Sequence, residues 1–254
     1  MQSLKETLSG IVGSENVSDE LGVRLTYSRD TGIEPPVTPG IVVRPRSTVQ
    51  VSKVVQVANL TRTPIWLRGG ATSTAGGGFP IIPGGILLDM TSMRRIVEIN
   101  EDQMYVTVEC GITWSALNAE LEKRGYYGGY MGPESGLYST VGGSTSCNSG
   151  GMGSCKYGPV GKNIVNLEVV LPTGDVIRTG SSSHPLGHRF ARYVQGPDLT
   201  GLFIGDHGCF GVKCKATLPM RKKPAAFAYT SHLFSDVNNF VRAEIRTRKY
   251  NYIE

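Results

Sequence analysis

The chain has 254 residues, beyond the usual single-domain length, and its 39% hydrophobic content is enough for a proper core, so one large domain or two lobes is expected. Its formal net charge of +5 is unevenly spread: from Arg221 to Glu254 seven basic residues stand against three acids. The opening Met1-Gln2-Ser3-Leu4-Lys5-Glu6 has no apolar signal core and no segment approaches a membrane span, which together predict a cytoplasmic protein.

Residues 1–38 read as an amphipathic lead-in that ends in a proline-rich loop at Glu34-Pro35-Pro36. Ile41-Val42-Val43 is a short strand, and Ser47 then opens a helix with Gln50 three positions on as a capping-box partner. Val51, Val54, Val55 and Ala58 fall at i, i+3, i+4 and i+7 and form one buried face. Ile65 to Leu67 is an apolar run of strand length, and Ile86 to Asp89 is another. Val106, Val108 and Cys110 alternate with Tyr105, Thr107 and Glu109, the pattern of a half-buried strand. Thr113 caps a helix whose Trp114, Leu117 and Leu121 share a face, and Gly125 ends it. Ile164–Leu171 and Asp175–Arg178 flank the turn residues Pro172-Thr173-Gly174 and predict a hairpin. Asp198–Phe203 is a short helix, and Val212–Leu218 is a strand running into a basic linker at 221–224.

The 33 glycines are roughly twice the number that the ~7% average would give. They cluster at 69–85, 125–161 and 201–211, and no cluster repeats another. In the first, Pro64-Ile65-Trp66-Leu67-Arg68-Gly69-Gly70-Ala71-Thr72-Ser73-Thr74-Ala75-Gly76-Gly77-Gly78, a strand breaks into small residues. Such a loop leaves backbone N–H groups free to cradle an anion. A flexible surface turn is the alternative. Its place in a β-α-β unit, at the carboxyl end of a strand, favours the phosphate cradle, because open α/β sheets bind ligands there. Three clusters on two lobes predict one long ligand lying between them. The five cysteines, Cys110, Cys147, Cys155, Cys209 and Cys214, show neither a C-x-x-C pair nor a metal-ligand rhythm. Core packing and free thiols are expected of them, with no metal site.

Nine segments in register, from Pro39 to Leu218, carry a family resemblance. They include Arg68-Gly69-Gly70-Ala71-Thr72-Ser73, Gly84-Gly85-Ile86-Leu87-Leu88-Asp89, Thr140-Val141-Gly142-Gly143, Asn148-Ser149-Gly150-Gly151, Lys156-Tyr157-Gly158 and Asp198-Leu199-Thr200-Gly201-Leu202-Phe203. The chain resembles the flavoproteins of the vanillyl-alcohol oxidase and p-cresol methylhydroxylase type, in particular their D-lactate dehydrogenase and glycolate oxidase branch. The resemblance implies an α+β, two-lobed FAD-binding domain over 39–220, with a small β-α-β lobe at about 39–100 and a larger mixed or antiparallel lobe at about 101–220. It implies FAD held across both lobes. Arg68, Gly69, Gly70, Ala71, Thr72 and Ser73 would cradle the pyrophosphate. Pro133, Glu134, Ser135, Val141, Gly142 and Gly143 would line the flavin and pyrophosphate. Ser146, Asn148, Gly150 and Gly151 would complete that wall, with Tyr157 and Gly158 among the cofactor contacts. Gly208, Gly211 and Val212 would meet the adenosine half or close the pocket behind it.

The chain departs from the family pattern in three places. Ala71 and Thr72 stand where members that tether FAD covalently carry a histidine, so non-covalent FAD is expected. Gly205-Asp206-His207-Gly208-Cys209-Phe210-Gly211 replaces G-S-E-G-T-L-G. His207 is a candidate flavin-side acid/base, the alternative being a hydrogen-bonded structural histidine. The third departure is the cap: residues 221–254 read as a basic linker and the truncated start of a substrate-binding cap domain. Phe227–Leu233 would be its first strand and Asp236–Arg248 its first helix. A lone strand-helix pair cannot bury its apolar stripe alone, so a partner subunit or self-association through 225–254 is expected, the alternative being that the chain is a fragment. The function implied is the FAD-binding subunit or domain of an oxidoreductase. It would take a hydride from a small organic substrate onto flavin N5 and pass the electrons to a partner or acceptor, with a 2-hydroxy acid the class the branch suggests. A non-catalytic flavin-binding assembly subunit is the alternative. Nucleic-acid binding has only the tail charge in its favour, since the interleaved aromatics of an RNA-binding sheet are missing.

Overall fold

The computed structural model describes residues 3–184, 186–193, 196–226 and 228–249. The lead-in opens with α1 (Leu4–Val12), whose Ser3 hydroxyl accepts from the Glu6 N–H while the Glu6 carboxylate accepts from the Ser3 N–H. This complete capping box goes beyond the sequence expectation. The one expected at Ser47 is half formed: Ser47 accepts from the Gln50 N–H, but the Gln50 side chain accepts from the Arg46 N–H instead. The helix it opens, α3 (Thr48–Thr61), buries Val51, Val54, Val55 and Ala58 as expected. Removing a branched side chain such as valine from water contributes roughly 1.5–3 kcal/mol each.

The first sheet has four strands in the order β1-β2-β4-β3, formed by β1 (Val17–Ser18), β2 (Ile41–Val43), β3 (Ile65–Arg68) and β4 (Ile86–Asp89). β2, β4 and β3 run parallel, with Val42 and Trp66 both in register with Leu87, while β1 pairs antiparallel to β2. The lead-in therefore supplies an edge strand to this sheet. It also supplies α2 (Leu21–Thr26).

The second sheet is antiparallel throughout, in the order β5-β6-β10-β8-β9. Its strands are β5 (Ile96–Asn100), β6 (Tyr105–Glu109), β8 (Asn166–Val170), β9 (Val176–Arg178) and β10 (Val212–Pro219). The 164–178 hairpin forms as expected. β6 does not stay half-buried: all five of its residues are buried. Its polar face is closed off by partners rather than by water. Thr107 shares a hydrogen bond with Thr217, Glu109 receives three from Arg95, and Tyr105 donates to Glu98. Arg189, in the segment after β9, also pairs with Glu98.

On the opposite face, α4 (Trp114–Glu122) buries Trp114, Leu117 and Leu121 with Thr113 as its N-cap. The Trp114 ring stands edge-on to Tyr130 at 4.9 Å and donates to Ser144 Oγ at 2.8 Å. That bond anchors α5 (Val141–Cys147), a helix made almost entirely of small residues. Two short helices, α6 (Ser154–Tyr157) and α7 (Leu199–Leu202), complete this lobe.

The basic linker is partly a strand. β11 (Arg221–Lys222) pairs with β7 (Tyr126–Tyr127), and the Arg221 guanidinium lies 4.3 Å from the Tyr157 ring centroid. Beyond it, α8 (Val237–Arg248) forms with Asp236 as N-cap. The strand expected at 227–233 is absent from residues 228–233, and Phe227 lies outside the described residues. No described helix is long and apolar enough to cross a membrane.

Candidate functional site

The three glycine clusters converge. The loop after β3, the start of α5 and the turn before β10 line one cavity of about 280 Å³ between the two sheets. Contact between the lobes is backbone-close. A Cβ on Gly70 would overlap the Tyr138 carbonyl, and one on Gly69 would overlap the Thr140 hydroxyl. Only glycine lets these segments meet.

The loop itself behaves as the sequence implies. Among the described residues, the backbone N–H groups of Gly70, Ala71, Thr72, Ser73 and Thr74 donate to no protein acceptor, although all five residues line the cavity. Ala71 holds φ at 51°, a left-handed conformation unusual for a residue with a Cβ. Alternation of hand along a short loop is what turns successive N–H groups toward one concave face. By contrast, the first N–H groups of α5 are spent inside the protein. Val141 donates to Ile112, Gly142 to Cys110, and Gly143 to the Thr140 hydroxyl. Gly142 and Gly143 offer the cavity their bare Cα surface rather than donors.

The cavity wall also carries Pro133, Ser135, Ser146, Gly208, Val212 and His207, together with Arg68 and Gly69. Other expected contact residues lie behind it. Val141 is fully buried in the core. Asn148, at φ 48°, caps the end of α5 and accepts from the Gly161 N–H. Gly151 packs on the Gly132 backbone, and Gly211 on Val169 and Val170. Tyr157 stands edge-on to Tyr127 and shares a hydroxyl hydrogen bond with it, and Gly158 closes the short α6. Glu134 and Gly150 are likewise outside the lining.

His207 lies in the left-handed region at φ 49°, and a Cβ on Gly77 would stand 3.8 Å from its Nδ1. Its turn is held by an ion pair that sequence reasoning missed. Lys213 Nζ reaches Asp206 Oδ1 at 2.5 Å, with the two side chains 2% and 0% exposed. Asp206 also accepts from the Gly208 and Phe210 N–H groups, so its carboxylate organises the whole turn. A buried pair of this kind is tolerable only when the remaining lone pairs are so satisfied. Ser139 was missed too. It is 4% exposed, lines the cavity, and its hydroxyl has no hydrogen-bond partner among the described residues.

The thiols divide. Cys110 and Cys214 are core residues whose burial pushes their pKa up, while Cys147, Cys155 and Cys209 are exposed. Among the described residues no cluster of three or more histidine, cysteine or acidic side chains could hold a metal ion.

Residues 39–180, more than half of the chain, match the model of a family described as an FAD binding domain. The chain is 35% identical to the glycolate oxidase subunit GlcD of Bacillus subtilis over 224 residues, which is 88% of this chain and 46% of that protein. It is 37% identical to the mitochondrial D-lactate dehydrogenase [cytochrome] of Arabidopsis thaliana over 187 residues, 73% of this chain and 31% of that one. A solved structure of p-cresol methylhydroxylase with substrate bound shares the fold, with a TM-score of 0.75 at 23% identity over 87% of this chain and 43% of that chain. The chain thus spans about half the length, or less, of the proteins it matches. With its α+β, two-lobed architecture and a matched segment that contains both the cradle loop and α5, the chain belongs to the FAD binding domain family, and its cofactor is FAD.

Proposed function

We propose that this chain is the FAD-holding part of an oxidoreductase that oxidises a small organic substrate, a 2-hydroxy acid being the class favoured by its likeness to a glycolate oxidase subunit and a D-lactate dehydrogenase. The observation that carries it is the run of five cavity-lining residues, Gly70 to Thr74, whose N–H groups have no protein acceptor among the described residues. Two phosphate groups would satisfy such donors. The unpartnered Ser139 hydroxyl supplies a further hydrogen bond, and the bare Gly142 and Gly143 surface lets a flat ring system approach α5 closely. FAD bound there supplies the hydride-accepting chemistry; the chain's own residues bind, orient and shield it. With Ala71 and Thr72 in the cradle, the cofactor is held non-covalently. His207 lines the cavity from a turn fixed by Asp206 and is the candidate to hold or move a proton at its imidazole.

Phe240, Val241 and Ile245 of α8 are exposed, and a partner surface or a second copy of the chain would cover them. The test is the visible spectrum of the purified chain before and after acid precipitation, with its solution mass, followed by anaerobic addition of D-lactate and glycolate in the presence of any co-purifying partner. A yellow supernatant, and bleaching by either acid, are the expected results. Yellow retained in the pellet would overturn the non-covalent assignment. A flavin that no 2-hydroxy acid reduces in the complex would leave the chain as a flavin-binding assembly subunit.

A further inference from the structure

Among the described residues the N–H groups of the cradle loop have no protein acceptor, so the loop is held through its other groups. Its inner edge is β3 and the close approach of Gly69 and Gly70 to residues 138–140. Its outer edge is held from an unexpected quarter, the lead-in segment 27–32, which precedes the 39–180 stretch that defines the family. Arg68, the last residue of β3, extends its guanidinium back across the loop and donates through Nη1 to the carbonyls of Gly78 and Arg29, both at 2.9 Å. One side chain therefore ties the start of the loop to its end and both to the lead-in. Thr31 donates to the Ser73 carbonyl at 2.8 Å, and Asp30 accepts from the Gly78 N–H at 3.4 Å.

The clamp is itself braced. The Arg68 guanidinium lies 5.0 Å from the Tyr27 ring centroid, with the Arg44 guanidinium 5.7 Å from the same ring. The Tyr27 hydroxyl donates to Asp89 at 2.8 Å and accepts from Arg44 at 3.0 Å, which pins the ring to the end of β4. An arginine stacked on an aromatic face keeps its planar fork oriented, as lysine would not.

From this geometry we infer that Arg68, with Thr31 and Asp30, is a positioning device for the cofactor loop. Its guanidinium binds carbonyls of the chain rather than phosphate, and it pre-sets the Gly70–Thr74 N–H groups toward the cavity. The inference rests on FAD as the ligand of that loop. A preorganised cradle binds more tightly because less ordering remains to be done on binding.

The test titrates FAD into the apoprotein of the full chain and of the variants Arg68→Met, Thr31→Val and Thr31→Ser, at ~20 mM and ~300 mM salt, across which direct charge contacts are screened very differently. Arg68→Met is expected to weaken FAD binding by about tenfold or more and Thr31→Val by about threefold, with Thr31→Ser at the wild-type value. The ratio of Arg68→Met to wild type should be the same at both salt concentrations. A ratio that falls toward one at high salt would mean that Arg68 holds the anion by charge, and the clamp would be wrong; so would unaltered affinity. Amide exchange across residues 75–79 in the apoprotein gives a reading independent of FAD, and it should quicken in Arg68→Met and Thr31→Val. If the wild-type chain takes up no FAD, the cofactor assignment fails while the exchange rates still decide the clamp, and unchanged rates overturn it.

Discussion

Ser139 is almost shut off from solvent, lines the cavity and has no hydrogen-bond partner for its hydroxyl among the described residues. A buried group left unpaired costs about 1–3 kcal/mol, and a ligand that completes it recovers that energy on binding. Ser139→Ala is therefore expected to act in opposite directions in two measurements. Urea melts of the apoprotein should show it more stable by about 1 kcal/mol, and FAD titration should show weaker binding. A loss of apo stability would mean that the hydroxyl has a partner in the free protein. Nothing in the sequence distinguishes Ser139 from its neighbour Ser135, because being unpartnered is a property of three-dimensional surroundings. Lys213 is hidden for a related reason: between Val212 and Cys214 it reads as the polar half of an alternating strand. A signal is present, since Asp206 seven residues earlier lies in the same glycine turn, but only the fold brings the carboxylate back onto the strand. That an open loop follows β3 is legible, by contrast, because glycine content and the end of a strand are local facts, whereas the hold of Arg68 on the Arg29 and Gly78 carbonyls is not.

Between elements, the joint is carried by Glu168 of β8. It accepts from Thr48 at the first turn of α3 at 2.7 Å, and it pairs with Lys215 of β10 at 2.8 Å and Arg178 of β9 at 3.2 Å. Burial alone would raise this carboxyl's pKa, but the hydrogen bonds from Lys215 and Thr48 outweigh it and hold it below the ordinary value of 4.5. A folded-state pKa below the unfolded one contributes stability that is present above pH ~4.5 and is lost as the pH falls through the folded value. Glu168→Gln should cost about 2 kcal/mol at neutral pH and flatten the acid limb of a stability-against-pH curve below pH ~4.5. A parallel downward displacement of the whole curve would show that the charge of Glu168 is not what matters. Strand and helix identities are legible wherever periodicity is strong, as in α3 and α4. They mislead where long-range cover decides. β6 alternates in sequence yet is buried on both faces, and residues 228–233 have strand composition but form no strand.

Across the whole molecule, the two sheets share a hydrophobic core: Val170 and Val212 of the second sheet pack in one cluster with Val51 and Val54 of α3 and with Ile86 and Leu88 of β4. Because the cavity lies between the two sheets, a ligand that bridges them favours the folded chain as a whole. FAD at about one hundred times its dissociation constant should add about 2.7 kcal/mol, a rise of roughly 5–10 °C in melting temperature for a chain of this size. A single calorimetric transition that moves upward with FAD is the expected outcome, and a rise confined to one of two separate transitions would show that the lobes melt independently. The two-lobed architecture is legible in the sequence from the order of its elements. The contribution of the lead-in is not, because β1 is two residues long and residues 27–32 have no periodic pattern; only their hydrogen bonds to Arg68, Ser73 and Gly78 reveal it. Those bonds bear on how such domains can be recombined. A chimera joined at residue 39, where the family match begins, would carry the glycine loop without the wall that holds it, whereas a junction placed before α2 would transfer loop and wall together.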